Sequence, residues 1–128
     1  MSRLVYILLG GAIGAGLRYG VSMLTVRWVG VHFPWGTLTV NVLGSLVAGF
    51  LWGMLGGVST ESRTHALFFI GLLGAFTTFS TYALDSLRLF QEDRVAEALA
   101  NVAANNLGAL LAVFAGFSLA RILFKPAS

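Results

Sequence analysis

Apolar positions along the chain gather into four long runs, at residues 4–26, 36–57, 66–84 and 98–124, parted by short polar breaks. Each run is close to the ~20 residues that carry an α-helix across the hydrocarbon of a bilayer. The first break, 27–35, holds Trp28 and Pro34; the second, 58–65, holds Glu61 and Arg63; the third, 85–97, holds most of the acidic residues. Links this short join neighbouring spans, so the pattern predicts an all-α, up-down membrane bundle with both termini on one side. No repeat and no low-complexity tail stands out, and residues 1–128 read as a single integral membrane domain. The first run has a second reading. Arg3 precedes an apolar stretch that meets Arg18, which is the outline of a signal peptide. The three spans that follow favour an uncleaved first span.

Composition narrows the classes. Hydrophobic residues make up 57% of the chain and charged ones 10%, against about 25% charged in soluble domains, which excludes a soluble fold. The absence of cysteine removes disulfides, thiolate metal sites and thiol nucleophiles, and His32 and His65 fall in polar breaks. The net charge of +3 is spread one or two residues at a time, which suits anchoring at lipid headgroups and gives no nucleic-acid surface. Arg3, Arg63, Arg121 and Lys125 lie on the side of the termini, and Arg27, Arg88 and Arg94 on the other. Because the Lys/Arg bias sets insertion direction, this near tie permits insertion both ways and an antiparallel homodimer; a topology fixed by one dominant arginine is the alternative. The chain has sixteen glycines. Many recur every four residues, as Gly10 with Gly14, Gly16 with Gly20, Gly49 with Gly53 and Gly57, and Gly108, Ala112, Gly116 and Ala120. Such faces are packing seams in lipid, between subunits or within one.

Polar residues inside the runs point to function, because they are costly in hydrocarbon and face a bundle interior or a wet path. Thr37, Asn41 and Ser45 form one stripe on the second span. The hydroxyls are absorbed by bonding back to their own helix, whereas Asn41 either lines a path or joins helices. In the third span, Gly74-Ala75-Phe76-Thr77-Thr78-Phe79-Ser80-Thr81 sets four hydroxyl residues in five positions after glycine. That pattern predicts a helix break, with a continuous helix of back-bonded hydroxyls as the alternative, and non-helical backbone at this depth survives only where it is buried in protein or lines a cavity. Unwound carbonyls there make a hard-oxygen site for Na⁺-like ions. Phe76, Phe79 and Tyr82 recur every three residues as a ridge, either for packing or for presenting positive ring edges to an anion. Asn101, Asn105 and Asn106 add amides on the fourth span, and Arg18 either snorkels or makes an electropositive vestibule. Asp85 sits at the end of the third run, so no carboxylate lies in the middle of a span. Nothing in the runs assembles a nucleophile, a base and an orienting group, which speaks against an enzyme.

Three blocks in register carry a family resemblance. They are Gly10-Gly11-Ala12-Ile13-Gly14 followed by Arg18, Pro34-Trp35-Gly36-Thr37-Leu38 leading to Asn41 and Gly44, and the Gly74–Thr81 block. Over essentially the whole chain the sequence resembles the Fluc (CrcB) fluoride channels. The resemblance implies a dual-topology, antiparallel homodimer with four spans per subunit, a broken third helix and two pores along the interface. It implies a non-transported structural Na⁺ held by the carbonyls of Gly74 and Thr77 from each subunit. It assigns Phe79 and position 82 as the pore-lining rings, Asn41 as the pore-facing amide, Ser80 and Thr81 as hydroxyls beside the break, and Arg18 as the vestibule arginine. The chain departs from the family in having Tyr82 where a second Phe is usual, Ala109 and Val113 where some members carry hydroxyls, and Asn105 where others carry a different polar residue.

The resulting expectation is a passive fluoride channel of a prokaryotic cytoplasmic membrane, partnered by lipid, fluoride and a second copy of itself. The rivals are a small dimeric proton-coupled transporter, which wants a mid-span carboxylate, and a non-conducting scaffold subunit, which leaves the third-span hydroxyls without a purpose.

Overall fold

A computed structural model describes residues 2–124, all in helices and short links. Helix α1 (Arg3–Val29) runs through Arg18 without interruption and stops where Gly30 turns to φ 87°, a left-handed cap that suits glycine. Helix α2 (Trp35–Met54) follows Pro34. Helix α3 comprises a π-helical stretch, His65–Leu73, and one α-helical turn, Gly74–Phe76. After a two-residue break come α4 (Phe79–Gln91) and α5 (Val95–Leu123). Taken with its break, the third helix covers His65–Gln91, and among the described residues four helices are long and apolar enough to cross a membrane.

The third span therefore extends beyond the apolar run at 66–84, and the last link shrinks to residues 92–94. The cause is the character of α4. It buries Tyr82 and Leu89, while Asp85 and Arg88 pair at 3.8 Å, so a charge appears while the helix continues. Asp85 thus belongs to the helix and not to a link.

Contacts at the two ends establish the up-down course. At one end Arg3 donates to the Thr60 carbonyl at 2.6 Å, and the Arg63 guanidinium lies 5.7 Å from the centre of the Tyr6 ring. At the other, Arg94 donates to the His32 carbonyl and bridges to Glu97 and Glu92. Of the cations used for the orientation count, Lys125 lies outside the described residues.

Helix α2 is the spine. On one side α5 lies against it through Gly49, Gly53, Gly116 and Ala120; a Cβ at Gly49 would overlap the Val113 carbonyl, and one at Gly116 the Leu46 carbonyl. Lipid offers no hydrophobic drive between helices, so this close backbone approach is itself the source of cohesion. On the other side α1 nests on the π-helical stretch: Gly10 meets the Leu67 carbonyl, and a Cβ at Gly71 would stand 2.6 Å from the Ile7 carbonyl. Those seams lie within one chain, whereas Gly16 and Gly20 meet nothing within 4 Å, and Gly57 belongs to a link with φ 86°. Helix α3 leans on α1 and α4 leans on α5, so the third span crosses α2 at its break. The outer surface is apolar, with Leu111, Phe114 and Ile122 well exposed, as a lipid-facing surface requires.

Candidate functional site

The break has a definite geometry. Thr77 is extended at φ −86°, ψ 158°, and Thr78 is extended at φ −149°, ψ 112°. Two β-branched residues that resist the helix sit where α2 crosses, against Gly44: a Cβ there would overlap the Thr77 methyl group and stand 3.1 Å from the Phe76 ring. A break at this depth exposes peptide groups that must find partners, and side chains supply them. Asn41 accepts from the Thr78 N–H at 2.7 Å and donates to the Thr78 carbonyl at 3.0 Å, so its amide pairs with both backbone groups of that residue as a neighbouring strand would. The Thr78 hydroxyl accepts from the Thr81 N–H at 3.2 Å, capping α4.

The break leaves four carbonyls, those of residues 74–77, without their helical donors. In a continuous helix the Thr78 N–H would serve the Gly74 carbonyl and the Thr81 N–H the Thr77 carbonyl. Both donors are spent on side chains instead. Gly74 and Thr77 thus stand at the two ends of a run of four main-chain oxygens released from the helix, and neutral carbonyls of this kind suit a hard cation. Among the described residues no group of three His, Cys, Asp or Glu side chains converges to hold a metal ion.

A relay of amides ties the break to α5. The second Asn41 hydrogen goes to Asn105 Oδ1 at 2.9 Å. Asn105 donates to the carbonyl and to Oδ1 of Asn101, each at 2.9 Å, and Asn101 donates to the Ser86 hydroxyl at 2.9 Å. Asn101 is fully buried and Asn105 nearly so, which such groups tolerate only when bonded.

A groove of about 310 Å³ opens beside the break, lined by Asn41, Ser45, Thr77, Thr78, Phe79, Tyr82, Asn105 and Asn106, with Ala109 and Leu110 on the apolar flank. The Phe79 and Tyr82 rings meet edge-on, with centres 5.2 Å apart and planes at 72°. Tyr82 is 8% exposed and Phe79 76%, so the groove is open on the Phe79 side. A second recess of about 380 Å³ lies toward the 30–34 link, and Thr37, Thr81, Asp85 and Arg88 are among its walls. There Thr37 donates to Asp85 at 2.8 Å. The Thr78 hydroxyl, in the groove, bonds the Thr81 hydroxyl, in the recess, at 3.0 Å, so one threonine pair forms the partition.

The expected site residues divide accordingly. Asn41, Phe79, Tyr82 and Asn105 share the groove, and Thr81 stands just behind it. Asn41 has both amide hydrogens engaged, so it braces the break as well as lining the groove. Ser80 is exposed outside both cavities, and Arg18, half-buried on α1 with its Nε unpartnered, touches neither. The ridge expected of Phe76, Phe79 and Tyr82 is split, because the break turns Phe79 outward while Phe76 and Tyr82 face in. The Asn101 junction and the Asn106 bond to the Tyr82 hydroxyl at 3.0 Å were signalled only as unassigned amides on an apolar span.

Comparison with known proteins places this geometry in context. Residues 5–117 match the family described as CrcB-like protein, camphor resistance (CrcB). A protein of Parabacteroides distasonis named fluoride-specific ion channel FluC is 42% identical over 121 residues, covering 94% of each chain. Proteins of the same name from Sphingopyxis alaskensis and Dehalococcoides mccartyi are 42% identical over 124 residues (96% of this chain, 98% of theirs) and 44% over 126 (96% and 95%).

Proposed function

Because the chain belongs to the CrcB-like family, we propose that it is a passive, fluoride-selective channel. It is a multi-pass membrane protein and not an enzyme. Hydrogen fluoride crosses membranes as a neutral weak acid and dissociates inside, so a cell needs only a path by which the anion returns outward. The observation that carries the reading is the groove at the break, where uncharged amides and hydroxyls stand beside aromatic ring edges. Such a site replaces part of an anion's hydration without a trapping charge, which conduction requires.

The working unit in this proposal is an antiparallel dual-topology homodimer in a prokaryotic cytoplasmic membrane, with two pores. The open side of the groove at Phe79 and the unpartnered Gly16 and Gly20 support a second copy as the missing wall. A structural Na⁺ between the subunits fits the released carbonyls of Gly74 and Thr77, two from each chain, and when bound it ties the two breaks together. Asn41 and Asn105 hold the Thr78 peptide in place, Phe79 and Tyr82 present the rings, and Thr81 leads from the recess to the groove. Arg18 and Ser80 take their roles, a vestibule charge and a pore hydroxyl, only in the dimer.

The test is efflux from liposomes loaded with fluoride, followed by a fluoride-selective electrode beside a chloride control. Fast fluoride release with negligible chloride release supports the channel. Release that needs a proton gradient supports a coupled transporter working through Asp85, and no release from a folded dimer in Na⁺ supports a scaffold.

A further inference from the structure

We infer that the Tyr82 hydroxyl is the hydrogen-bond donor that a halide meets in the groove, and that Asn106 is the residue that aims it. The inference rests on the channel reading above and adds to it a specific donor and a positioning residue.

Nearly every polar hydrogen around the groove is already committed. Asn41 spends its two on Thr78 and Asn105, and Asn105 spends its own on Asn101. Ser45 donates back to the Asn41 carbonyl, Thr77 to the Leu73 carbonyl, and Thr78 to the Thr81 hydroxyl. Asn106 is settled by its neighbours. One atom of its amide lies 2.8 Å from the Val102 carbonyl and 3.0 Å from the Tyr82 oxygen. A carbonyl oxygen only accepts, so that atom is Nδ2, and it donates to both. The Tyr82 oxygen therefore accepts from Asn106 and keeps its own hydrogen. No acceptor among the described residues takes that hydrogen. Of the polar side chains lining the groove, Tyr82 alone has a donor unspent.

Chemistry favours using it. An O–H donor to an anion makes a charge-assisted bond, shorter and about twice as strong as a neutral one, and a ring edge offers only its quadrupole. The N–H received from Asn106 polarises the phenol in the donating sense and fixes the ring beside Phe79. The bond is short and directional, so it favours the smallest halide, and no proton leaves the oxygen.

The full chain in liposomes tests this through the fluoride concentration at half-maximal efflux, measured for Tyr82→Phe, Asn106→Leu and the double variant. Tyr82→Phe removes one atom, and Asn106 is exposed, so both substitutions leave the packing intact; size exclusion and circular dichroism verify it. Tyr82→Phe is expected to raise the half-maximal concentration about tenfold, the equivalent of one charge-assisted bond. Asn106→Leu raises it by about threefold, and the double variant matches Tyr82→Phe, since Asn106 acts through the hydroxyl. The infrared difference between fluoride and chloride buffers shows a tyrosine C–O band that Tyr82→Phe lacks. Fluoride efflux with an unchanged half-maximal concentration in Tyr82→Phe, or no such band, overturns the inference and leaves the channel standing. An equal effect of Asn106→Leu with and without the hydroxyl overturns the positioning role. No fluoride efflux from the unsubstituted protein overturns the channel reading and the inference with it.

Discussion

Replacing Asn41 separates two jobs that the structure gives to one side chain. Asn41→Ala removes three hydrogen bonds, to the Thr78 N–H at 2.7 Å, the Thr78 carbonyl at 3.0 Å and Asn105 at 2.9 Å. At about 1 kcal/mol net for each, the break loses about 3 kcal/mol of bracing. Asn41→Asp keeps the bond from the Thr78 N–H but sets an oxygen where Nδ2 stood, facing two acceptors. It also adds a negative charge beside the groove. For an anion about 4 Å away at an effective dielectric of about 20, the repulsion is about 4 kcal/mol, close to a thousandfold in occupancy. The assay is fluoride efflux from liposomes at pH 8, which keeps the new carboxylate ionised. Loss of the brace is expected to slow Asn41→Ala by about tenfold, and Asn41→Asp falls about a hundredfold or more below that. Asn41→Asp fluxes within tenfold of Asn41→Ala would refute the claim that Asn41 borders the ion path. Full efflux in Asn41→Ala would refute the bracing argument.

Three further outcomes follow from the geometry. Phe79→Ile keeps bulk but loses the ring edge, so efflux falls at least tenfold while the size-exclusion profile in detergent is unchanged; normal efflux removes the ring from the path. Gly116→Val drives a side chain into the Leu46 carbonyl at a cost above the usual ~1–3 kcal/mol of overpacking, and abolishes a monodisperse peak, whereas Gly16→Val, with open space around it, keeps its helical circular dichroism. For the proposed dimer, exchange of Na⁺ for N-methylglucamine is expected to lower the temperature of dissociation in detergent, and an unshifted transition counts against an ion on the Gly74 and Thr77 carbonyls.

Much of this arrangement is legible in the order of residues alone. A bilayer imposes one length and one polarity on every span, so the four runs stand out, and threonines next to glycine announce the break. The end of the third span is less legible, because α4 is amphipathic and its Asp85 is held by Thr37 and Arg88, so a charge marks nothing about where the helix ends. The π-helical stretch is illegible for a different reason. Its wide turns answer the shape of α1 at Gly10 and Gly14, a tertiary cause with no local signature. Amides such as Asn101 and Asn106 are visible as anomalies in an apolar run, yet their partners, Ser86 and Tyr82, lie on another helix. Arg18 illustrates the converse: it is the one cation well inside an apolar run, and within a single chain it borders neither cavity.

The crossing of α2 by the third span also sets an order of events during synthesis, since chains emerge from their N-terminus. When residues 65–76 leave the ribosome, α1 and α2 are already made, and the π-helical half finds its dock waiting. The other half does not, because α5, on which α4 leans, is made last. Both partners of the Asn41–Thr78 bonds are made before α5, whereas Asn105, which takes the second Asn41 hydrogen, comes with it. The groove acquires its Asn105 and Asn106 wall only when the final helix arrives, so the site closes on the α5 side last.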